Sequence, residues 1–272
     1  MKILVTGHKG YIGSNLYQTL INMGYEVKGI DLKDGDDILF CLPDHYYDYV
    51  FHLAAYPKVS YSVENPSFTM RQNVLATSTL LEWSKKNKIK RFIFSSSAAV
   101  NDGNPQSPYG LHKYISELEC KLYSSLYNMD TVSLRYFNVY SEEQKYGGAY
   151  STAISAWMEM IKQKKPLRID GDGNQTRDFI HLDDIVSANI FCMLHKDNFH
   201  GKYLNVATGK SISLNYIRKF IDSNNNVVWD KKPARQGDIL HSSADIQPLK
   251  QLGWSPKVSI NEGLNRCFKK VI

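Results

Sequence analysis

Apolar residues follow two alternating patterns along the chain. Short runs without polar alternation, which are typical of strands buried on both faces of a parallel sheet, occupy residues 2–6, 26–31, 49–54, 91–96 and 131–137. Between these runs, apolar residues recur every three or four positions, as they do along one face of a helix. The first half of the chain therefore predicts a series of βαβ units.

Three amphipathic helices are predicted between these strands. Their apolar faces carry Leu16, Leu20 and Met23 in the first helix, Val74, Leu81 and Trp83 in the second, and Tyr114, Leu118, Leu122 and Leu126 in the third. The expected fold class is therefore α/β, with a doubly wound parallel sheet.

The pattern loosens after Gly147. The sequence there predicts a helix over residues 150–162, a strand over 167–169, a helix over 183–194 and a strand over 203–206. Polar and turn residues interleave with these elements, as expected for a smaller lobe that covers a ligand. We expect a domain over residues 1–147 and a lobe over residues 148–272, with segments around 180–207 returning to the core sheet.

The composition fits a folded protein. The chain has 272 residues and is 43% hydrophobic, which is enough for a buried core. Its formal charge of +6 favours an anionic ligand, but Lys and Arg are scattered, so no nucleic-acid partner is expected. We recognise no cleavable signal and no apolar run long enough for a bilayer, so we expect a cytoplasmic protein with no membrane partner.

Four cysteines are spread along the chain without a CxxC pair or clustered histidines. They are Cys41, Cys120, Cys192 and Cys267. This spacing signals neither a disulfide framework nor a zinc site. We therefore expect reduced thiols and no metal.

A glycine triplet follows the first predicted strand. Gly7, Gly10 and Gly13 lie where a helix must begin, and side-chain-free positions there let the backbone approach a pyrophosphate. Asp31 follows at the end of the second strand, where a carboxylate can accept hydrogen bonds from ribose hydroxyls and repel a 2′-phosphate. The pattern predicts NAD rather than NADP. The alternatives are a glycine-rich turn without a ligand and a solvated acidic side chain.

A second group of polar residues follows the fourth strand. Serines occupy positions 95–97, and residues 107–113 read SPYGLHK at the start of the third helix. Tyr109 and Lys113 are four residues apart, so they share one helical face, and the ammonium stabilises a phenolate. A strand-end serine could hold the substrate oxygen, which makes Ser97, Tyr109 and Lys113 the predicted catalytic residues. The alternative is that Tyr109 is an aromatic residue packed on the core.

The motifs and their order resemble those of the extended short-chain dehydrogenases/reductases, in the NAD-dependent epimerase/dehydratase family. They are GxxGxxG at residues 7–13, HLAA at 52–55, FSSSA at 94–98, SPYGxxK at 107–113, RYFNVY at 135–140, GDG at 171–173 and RDF at 177–179. The chain is most similar to UDP-glucose and UDP-N-acetylglucosamine 4-epimerases, through GAY at 148–150, RQGD at 235–238 and HSSAD at 241–245. The resemblance covers nearly the whole chain and implies a Rossmann-type fold.

The resemblance also implies a cofactor site and a substrate site. NAD would be contacted by Gly7, Gly10, Tyr11, Ile12, Gly13, Asp31, Asp37, Ile38, Leu53, Ala54, Ala55, Asn73, Lys113 and Phe137. The nucleotide-diphosphate sugar would be contacted by Ser97, Tyr109, Asn138, Thr152, Ala153, Arg177, Arg235, Asp238 and Ser242. Arg177 and Arg235 suit a diphosphate, although each reads as a surface charge without the resemblance. Residues 1–147 would then be the NAD-binding domain, and 148–272 mostly a substrate-binding lobe.

The implied activity is 4-epimerisation through a transient 4-keto sugar. Tyr109 would remove a hydroxyl proton as hydride moves to the nicotinamide, and the hydride would return to the other face of the sugar. Related enzymes that dehydrate or decarboxylate carry acidic residues just after the strand-end serine, where this chain has Ala98 and Ala99. The alternatives are a nucleotide-sugar reductase or dehydrogenase with net redox turnover, and a non-enzymatic dinucleotide-binding protein.

The loop between the fourth strand and the SPYG helix is shorter than in the resembling proteins by roughly a dozen residues. A more open site could loosen water exclusion, slow turnover or admit a larger substrate, and these alternatives remain open. The resemblance implies a homodimer in which each copy contributes two core helices to a bundle. The alternative is a monomer.

Overall fold

The computed structural model describes residues 1–147, 152–224, 226–234 and 240–269. The chain forms two compact units. The first unit comprises Met1–Tyr136 and Val186–Asn205, and the second comprises Phe137–Ile185 and Val206–Ile272.

The elements follow the predicted alternation of strands and helices in the first half of the chain. The strands are β1 (Lys2–Thr6), β2 (Glu26–Ile30), β3 (Tyr49–His52), β4 (Arg91–Ser97), β5 (Thr131–Tyr136), β6 (Asn138–Tyr140), β7 (Leu167–Asp170), β8 (Thr176–Arg177), β9 (Phe179–His181), β10 (Tyr203–Val206), β11 (Ile212–Ser213) and β12 (Trp229–Lys232). The helices are α1 (Tyr11–Asn22), α2 (Val59–Glu64), α3 (Pro66–Met70), α4 (Ala76–Lys86), α5 (Pro108–Tyr127), α6 (Ala153–Lys162), α7 (Leu182–Leu194), α8 (Leu214–Asn224), α9 (Gln247–Gln251) and α10 (Ile260–Lys269). Shorter helical turns lie at Leu32–Asp34, Arg71–Leu75 and Ala98–Gly103.

A six-stranded sheet forms the centre of the first unit, in the order β2-β1-β3-β4-β5-β10. The strands β1 to β5 run parallel to their neighbours. Ile3, Leu4 and Val5 of β1 are fully buried, as expected for a strand covered by helices on both faces. The chain goes outward from β1 to β2 and then returns past β1 to β3, which creates the switch point where such sheets bind ligands. The predicted α/β fold with a Rossmann-type parallel sheet is confirmed.

The third predicted amphipathic helix, α5, exposes its leucine face. Leu118, Leu122 and Leu126 are 48%, 50% and 63% exposed, whereas Leu16 and Leu20 of α1 are fully buried. The buried face of α5 carries polar residues instead, among them Lys113 and the other groups described below. Apolar periodicity therefore located this helix correctly but did not identify the face that packs on the rest of the first unit.

The second unit has its own apolar core, and its described residues form three two-stranded sheets. The sheets pair β6 with β9, β7 with β12 and β8 with β11. The core contains Trp157 from α6, Ile217 and Ile221 from α8, and Leu264 and Phe268 from α10. The parallel pairing of β6 with β9 places Asn138 opposite Phe179.

Three further observations concern the cysteines, metal binding and membrane-spanning helices. The four cysteines are free thiols. Within the described ranges, we find no group of three or more His, Cys, Asp and Glu residues that could hold a metal ion. No helix in the part of the chain that the structure describes is long and apolar enough to cross a membrane.

Candidate active site

The predicted phosphate loop lies between β1 and α1. Gly7 has a positive φ of 74°, and a side chain there would bring its Cβ within 2.6 Å of the Ala54 nitrogen. A Cβ at Gly13 would overlap the carbonyl group of Gly7. Gly10 is the N-cap of α1, so no side chain stands before the first-turn N–H groups at this end of the helix. The backbone cradle fits a pyrophosphate at a helix N-terminus, and this fit supports the predicted dinucleotide site.

Asp31 reaches the phosphate loop from the end of β2. Its Oδ2 accepts a 2.9 Å hydrogen bond from the Lys9 backbone N–H, and its Oδ1 accepts one of the same length from the Lys33 N–H. A carboxylate has about four lone-pair positions, so each oxygen can still accept from a ribose hydroxyl. The structure therefore brings the predicted ribose-binding acid next to the glycine triplet.

The other predicted cofactor residues of the first unit follow β2 and β3. Ile38 is buried in an apolar core of the first unit. The Asp37 side chain accepts a 2.9 Å hydrogen bond from the Leu39 N–H. Asn73 is buried and bonds the backbone of Tyr56 twice, accepting from its N–H at 2.7 Å and donating to its carbonyl at 3.1 Å. Asn73 therefore fixes the segment that follows the predicted contacts at residues 53–55.

Local structure places the predicted catalytic residues on two adjoining elements. Ser97 ends β4, and its Oγ accepts a 3.2 Å hydrogen bond from the Ala99 N–H. Tyr109 and Lys113 lie on α5, which begins after the N-cap Ser107 and has Pro108 at its first position. Helix α5 contacts both β4 and the turn that follows it, so the structure brings these predicted residues into one region of the first unit.

Lys113 is buried in this region and contacts β4. Its ammonium donates a 2.6 Å hydrogen bond to the carbonyl oxygen of Ser95 and lies 4.7 Å from the ring centre of Phe94. Burial lowers the pKa of Lys113 to about 8, while Cys120 and Glu117 act in the opposite direction. Lys113 is therefore a cation at neutral pH that loses its proton within the working range of many enzymes.

One buried polar residue near this region was named in a motif but given no role. His52 ends β3, with Nδ1 2.7 Å from Oγ1 of Thr6 and Nε2 2.9 Å from Oγ1 of Thr77. Burial and, to a smaller extent, the neighbouring Lys113 cation lower the pKa of His52 to about 3. A neutral imidazole thus joins β1, β3 and α4 behind the predicted cofactor loop.

The second unit gathers three of the residues predicted to contact the sugar. The Thr176 carbonyl oxygen accepts hydrogen bonds from Nη1 of Arg177 at 2.9 Å and from the Ser242 N–H at 3.2 Å. The carbonyl oxygen of Asp178, two residues later, accepts hydrogen bonds from both the backbone N–H and the side-chain amide of Asn138, at 3.1 and 3.0 Å. Arg177, Ser242 and Asn138 therefore meet around three consecutive residues.

Asp178 was quoted within the RDF motif, and its structural role emerges only from the fold. Its buried carboxylate accepts hydrogen bonds from the N–H and hydroxyl of Thr208, at 2.9 and 2.7 Å, and from the Gly209 N–H at 2.8 Å. Burial raises its pKa, and these hydrogen bonds oppose that shift. The sequence could not reveal this role, because the groups that the carboxylate binds belong to residues that lie 30 or more positions further along the chain.

The other predicted residues of the second unit that the structure describes lie at the start of α6 or in a small apolar cluster. Thr152 caps α6 in a capping box with Ser155, and its hydroxyl donates to Oε1 of Gln144 at 2.8 Å. Ala153 is the first residue of α6, and Phe137 packs beside Ala207, Ala244 and Ile246. Arg235 and Asp238 lie outside the described residues.

Comparisons with known proteins give a consistent result. Residues 3–207 match the family model described as "NAD dependent epimerase/dehydratase family". The UDP-glucose 4-epimerase of Mycolicibacterium smegmatis is 28% identical, with 99% of this chain and 98% of that protein covered.

Two solved structures are similar over almost their whole length. The UDP-N-acetylglucosamine 4-epimerase of Methanobrevibacter ruminantium M1, in complex with UDP-N-acetylmuramic acid, is 32% identical with a TM-score of 0.90, covering 98% of this chain and 97% of that one. The UDP-glucuronic acid 4-epimerase of Bacillus cereus, in complex with UDP-glucuronic acid and NAD, is 31% identical with a TM-score of 0.88, covering 100% and 99%.

Proposed function

Because the chain belongs to the NAD-dependent epimerase/dehydratase family, we propose that it is a UDP-sugar 4-epimerase that acts on a UDP-hexose or a UDP-N-acetylhexosamine. The observation that carries this proposal is the placement of Ser97, Tyr109 and Lys113 where β4 ends and α5 begins. A hydroxyl, a phenol and a buried ammonium in one region suit proton removal from an alcohol that is being oxidised.

Each catalytic residue has a chemical role in this proposal. Tyr109, as the phenolate, removes the proton of the sugar 4-hydroxyl, and the Lys113 ammonium one helical turn away favours that phenolate. Ser97 donates a hydrogen bond to the same sugar oxygen and holds it while a transient 4-keto sugar forms. NAD, when bound at the residues assigned below, would supply the acceptor for the C4 hydride and the donor for its return to the keto sugar. Tyr109 then gives its proton back to the oxygen.

The binding residues divide between the two units. We assign the cofactor to the glycine triplet, Asp31, Asn73 and the other predicted contacts, so that the domain predicted over residues 1–147 binds NAD. We assign the sugar diphosphate to Arg177 and Arg235, with Asn138 and Ser242 nearer the sugar, so that residues 148–272 form mostly a substrate-binding lobe. The full sets of contacts are those given by the resemblance.

Ala98 and Ala99 favour epimerisation over dehydration. They follow Ser97 in a short turn, and neither can move a proton from a neighbouring carbon. The two positions that carry acidic residues in related dehydrating enzymes thus hold no acid or base here, which favours return of the hydride over elimination.

We also propose a homodimer that pairs the exposed face of α5 with its copy. Leu111, Leu118, Leu122 and Leu126 are each about half exposed or more, and together they form an apolar stripe on a surface helix. Such a stripe is typical of a helix that packs in a self-complementary bundle. We place the enzyme in the cytoplasm, because four free thiols are typical of a reducing compartment.

The function is tested on the purified protein without added cofactor. After gentle denaturation, mass spectrometry of the released small molecules is expected to find NAD, and NMR is expected to show interconversion of a UDP-sugar and its 4-epimer. A protein that carries no NAD and converts no UDP-sugar in a panel of hexoses and N-acetylhexosamines would contradict the proposal. Accumulation of NADH or consumption of an added reductant would identify a dehydrogenase or reductase instead.

A further inference from the structure

We propose that Glu117 is a positioning residue that fixes Ser97 relative to Tyr109, acting through Ser96 and Arg135. The inference deepens the proposed epimerase function and rests on it for the roles of Ser97 and Tyr109. Four residues form what we call the Glu117 network: Ser96, Asp102, Glu117 and Arg135.

Glu117 continues the catalytic face of α5. Tyr109, Lys113 and Glu117 follow one another at intervals of four residues, and all three are buried. The Glu117 carboxylate accepts hydrogen bonds from Nε of Arg135 at 2.8 Å and from Nη2 at 2.7 Å, which is a two-point contact between planar groups. Its Oε1 also accepts a 2.5 Å hydrogen bond from Oγ of Ser96. One carboxylate thus ties α5 to two neighbouring strands.

The two strand residues that Glu117 binds are direct partners in the sheet. In the pairing of β4 with β5, Ser96 stands opposite Arg135 and Ser97 stands opposite Tyr136. Ser96 also lies between Ser95, whose carbonyl accepts the Lys113 hydrogen bond, and Ser97. Glu117 therefore holds the end of β4 at the residue adjacent to the predicted catalytic serine, from the helix that carries the predicted catalytic tyrosine.

The network extends into the short loop after β4. Nη1 of Arg135 donates a 3.0 Å hydrogen bond to Oδ1 of Asp102. Asn101 and Asp102 both have a φ of 48°, a left-handed conformation that Asn and Asp adopt more readily than other non-glycine residues. The Arg135 guanidinium also stacks on Tyr203, with 3.6 Å from its central carbon to the ring centre. The contact with Arg135 therefore ties the shortened loop to the same carboxylate.

The alternative is that Glu117 only neutralises Arg135 in the core. A purely structural pair would change the amount of folded enzyme but not the rate of the chemical step in the folded fraction. A positioning role would change the step itself, because the distance between the tyrosine oxygen and the serine hydroxyl would vary. The two roles can therefore be separated by measurements on the folded enzyme.

Glu119 supplies a matched control on the same helix. It lies two residues beyond Glu117, on a different face, and its carboxylate accepts a hydrogen bond from the Ser78 hydroxyl of α4. Burial raises the pKa of Glu119, so this carboxyl group, like that of Glu117, is shielded from solvent. Glu119→Gln removes the same charge from α5 without touching the Glu117 network.

The test compares Glu117→Gln, Ser96→Ala and Glu119→Gln with the unaltered protein. For the first two we expect kcat to fall about tenfold or more with little change in KM, and the primary isotope effect on a 4-deuterated UDP-sugar to rise, since misplacement slows the hydride step. Hydrogen–deuterium exchange in residues 95–104 is expected to quicken about tenfold in Glu117→Gln, with the NAD content unchanged. Glu119→Gln is expected to match the unaltered protein in all of these.

Two results would overturn the proposal. One is an isotope effect in Glu117→Gln equal to that of the unaltered protein, which would show that only the amount of active enzyme had changed. The other is exchange in residues 95–104 that is the same in Glu117→Gln and Glu119→Gln. The exchange measurement needs no turnover, so it tests whether Glu117 holds the end of β4 even if the unaltered protein converts no UDP-sugar and the proposed function fails.

Discussion

The Lys113 ammonium and the Ser95 carbonyl oxygen are 2.6 Å apart, which joins α5 to β4 two residues before Ser97. This hydrogen bond fixes the ammonium group of Lys113, which follows Tyr109 by one helical turn. Burial lowers the pKa of Lys113 to about 8, so this buried lysine is still protonated at neutral pH. The first two predictions follow from this arrangement.

Tyr109→Phe is expected to lower epimerisation about 10²- to 10⁴-fold and to leave NAD binding nearly intact, because the lost hydroxyl is the proton acceptor and the ring still fills its place. The rate is measured by NMR with a UDP-sugar, and the NAD content by mass spectrometry. Tyr114→Phe, which removes a hydroxyl elsewhere on α5, is the control. Near-normal turnover by Tyr109→Phe would remove Tyr109 from the mechanism.

Lys113→Ala is expected to lower activity and to move the pH optimum upward. In the unaltered protein the ammonium is present below its pKa of about 8 and is lost above it, so the rate should fall on the alkaline side. Without that cation the Tyr109 phenolate forms only at higher pH, and the alkaline fall disappears. A pH profile of kcat measures both limbs, with the exposed Lys121→Ala as the control. An unchanged optimum would show that Lys113 does not stabilise the phenolate.

Local patterns allowed much of the first unit to be predicted. The runs at 2–6 and 91–96 match β1 and β4 because strands buried on both faces leave a clear apolar signal. The glycine triplet and the Tyr109–Lys113 spacing are equally local. The family, the cofactor and the epimerase class, which were implied by the resemblance that these and other motifs carry, are confirmed. The roles of the individual site residues stay predictions.

Other features depend on contacts between distant residues. Glu117 follows Lys113 by four positions, and that spacing was a signal, but its role depends on Arg135, which is distant in sequence. Leu118 and Leu122 have the spacing of a core-facing stripe, yet they are exposed. A stripe that packs on a sheet and a stripe that could pack on another copy have the same periodicity. Periodicity alone cannot separate these two cases.

Asp31 is expected to give the protein at least about 100-fold tighter binding of NAD than of NADP, because its carboxylate would face the 2′-phosphate of NADP. Asp31→Ser should lower this affinity ratio, whereas Asp36→Ser, a change to a half-buried acid in the same loop, should not. Calorimetry on protein stripped of cofactor measures both affinities. Equal affinities in the unaltered protein would show that Asp31 does not contact the ribose.

Ser242 is predicted to leave room for an N-acetyl group at C2 of the sugar. Ser242→Tyr should lower kcat/KM for UDP-N-acetylglucosamine about tenfold or more relative to UDP-glucose, because a packed pocket cannot relieve the overlap. Ser243→Tyr, at the exposed neighbouring residue, is the control for a tyrosine in this segment. Equal losses on both sugars, or no loss on either, would show that residue 242 does not limit the pocket.

Leu122→Glu is expected to convert a dimer into a monomer, since it puts a charge in the middle of the exposed α5 stripe. Analytical ultracentrifugation measures the mass of the assembly. Phe40→Glu places the same charge at an exposed aromatic residue outside the stripe and should leave the dimer intact. A monomeric unaltered protein, or a Leu122→Glu dimer of normal strength, would contradict the proposed interface.

The central claim is that the hydrogen at C4 leaves the sugar and returns to it within one active site. The most direct test is to incubate the purified protein, without added cofactor, with UDP-glucose that carries deuterium at C4. The account predicts UDP-galactose that retains the deuterium at C4, with no net accumulation of NADH. Loss of the deuterium to water, or conversion that stops when the bound cofactor has been reduced once, would contradict it.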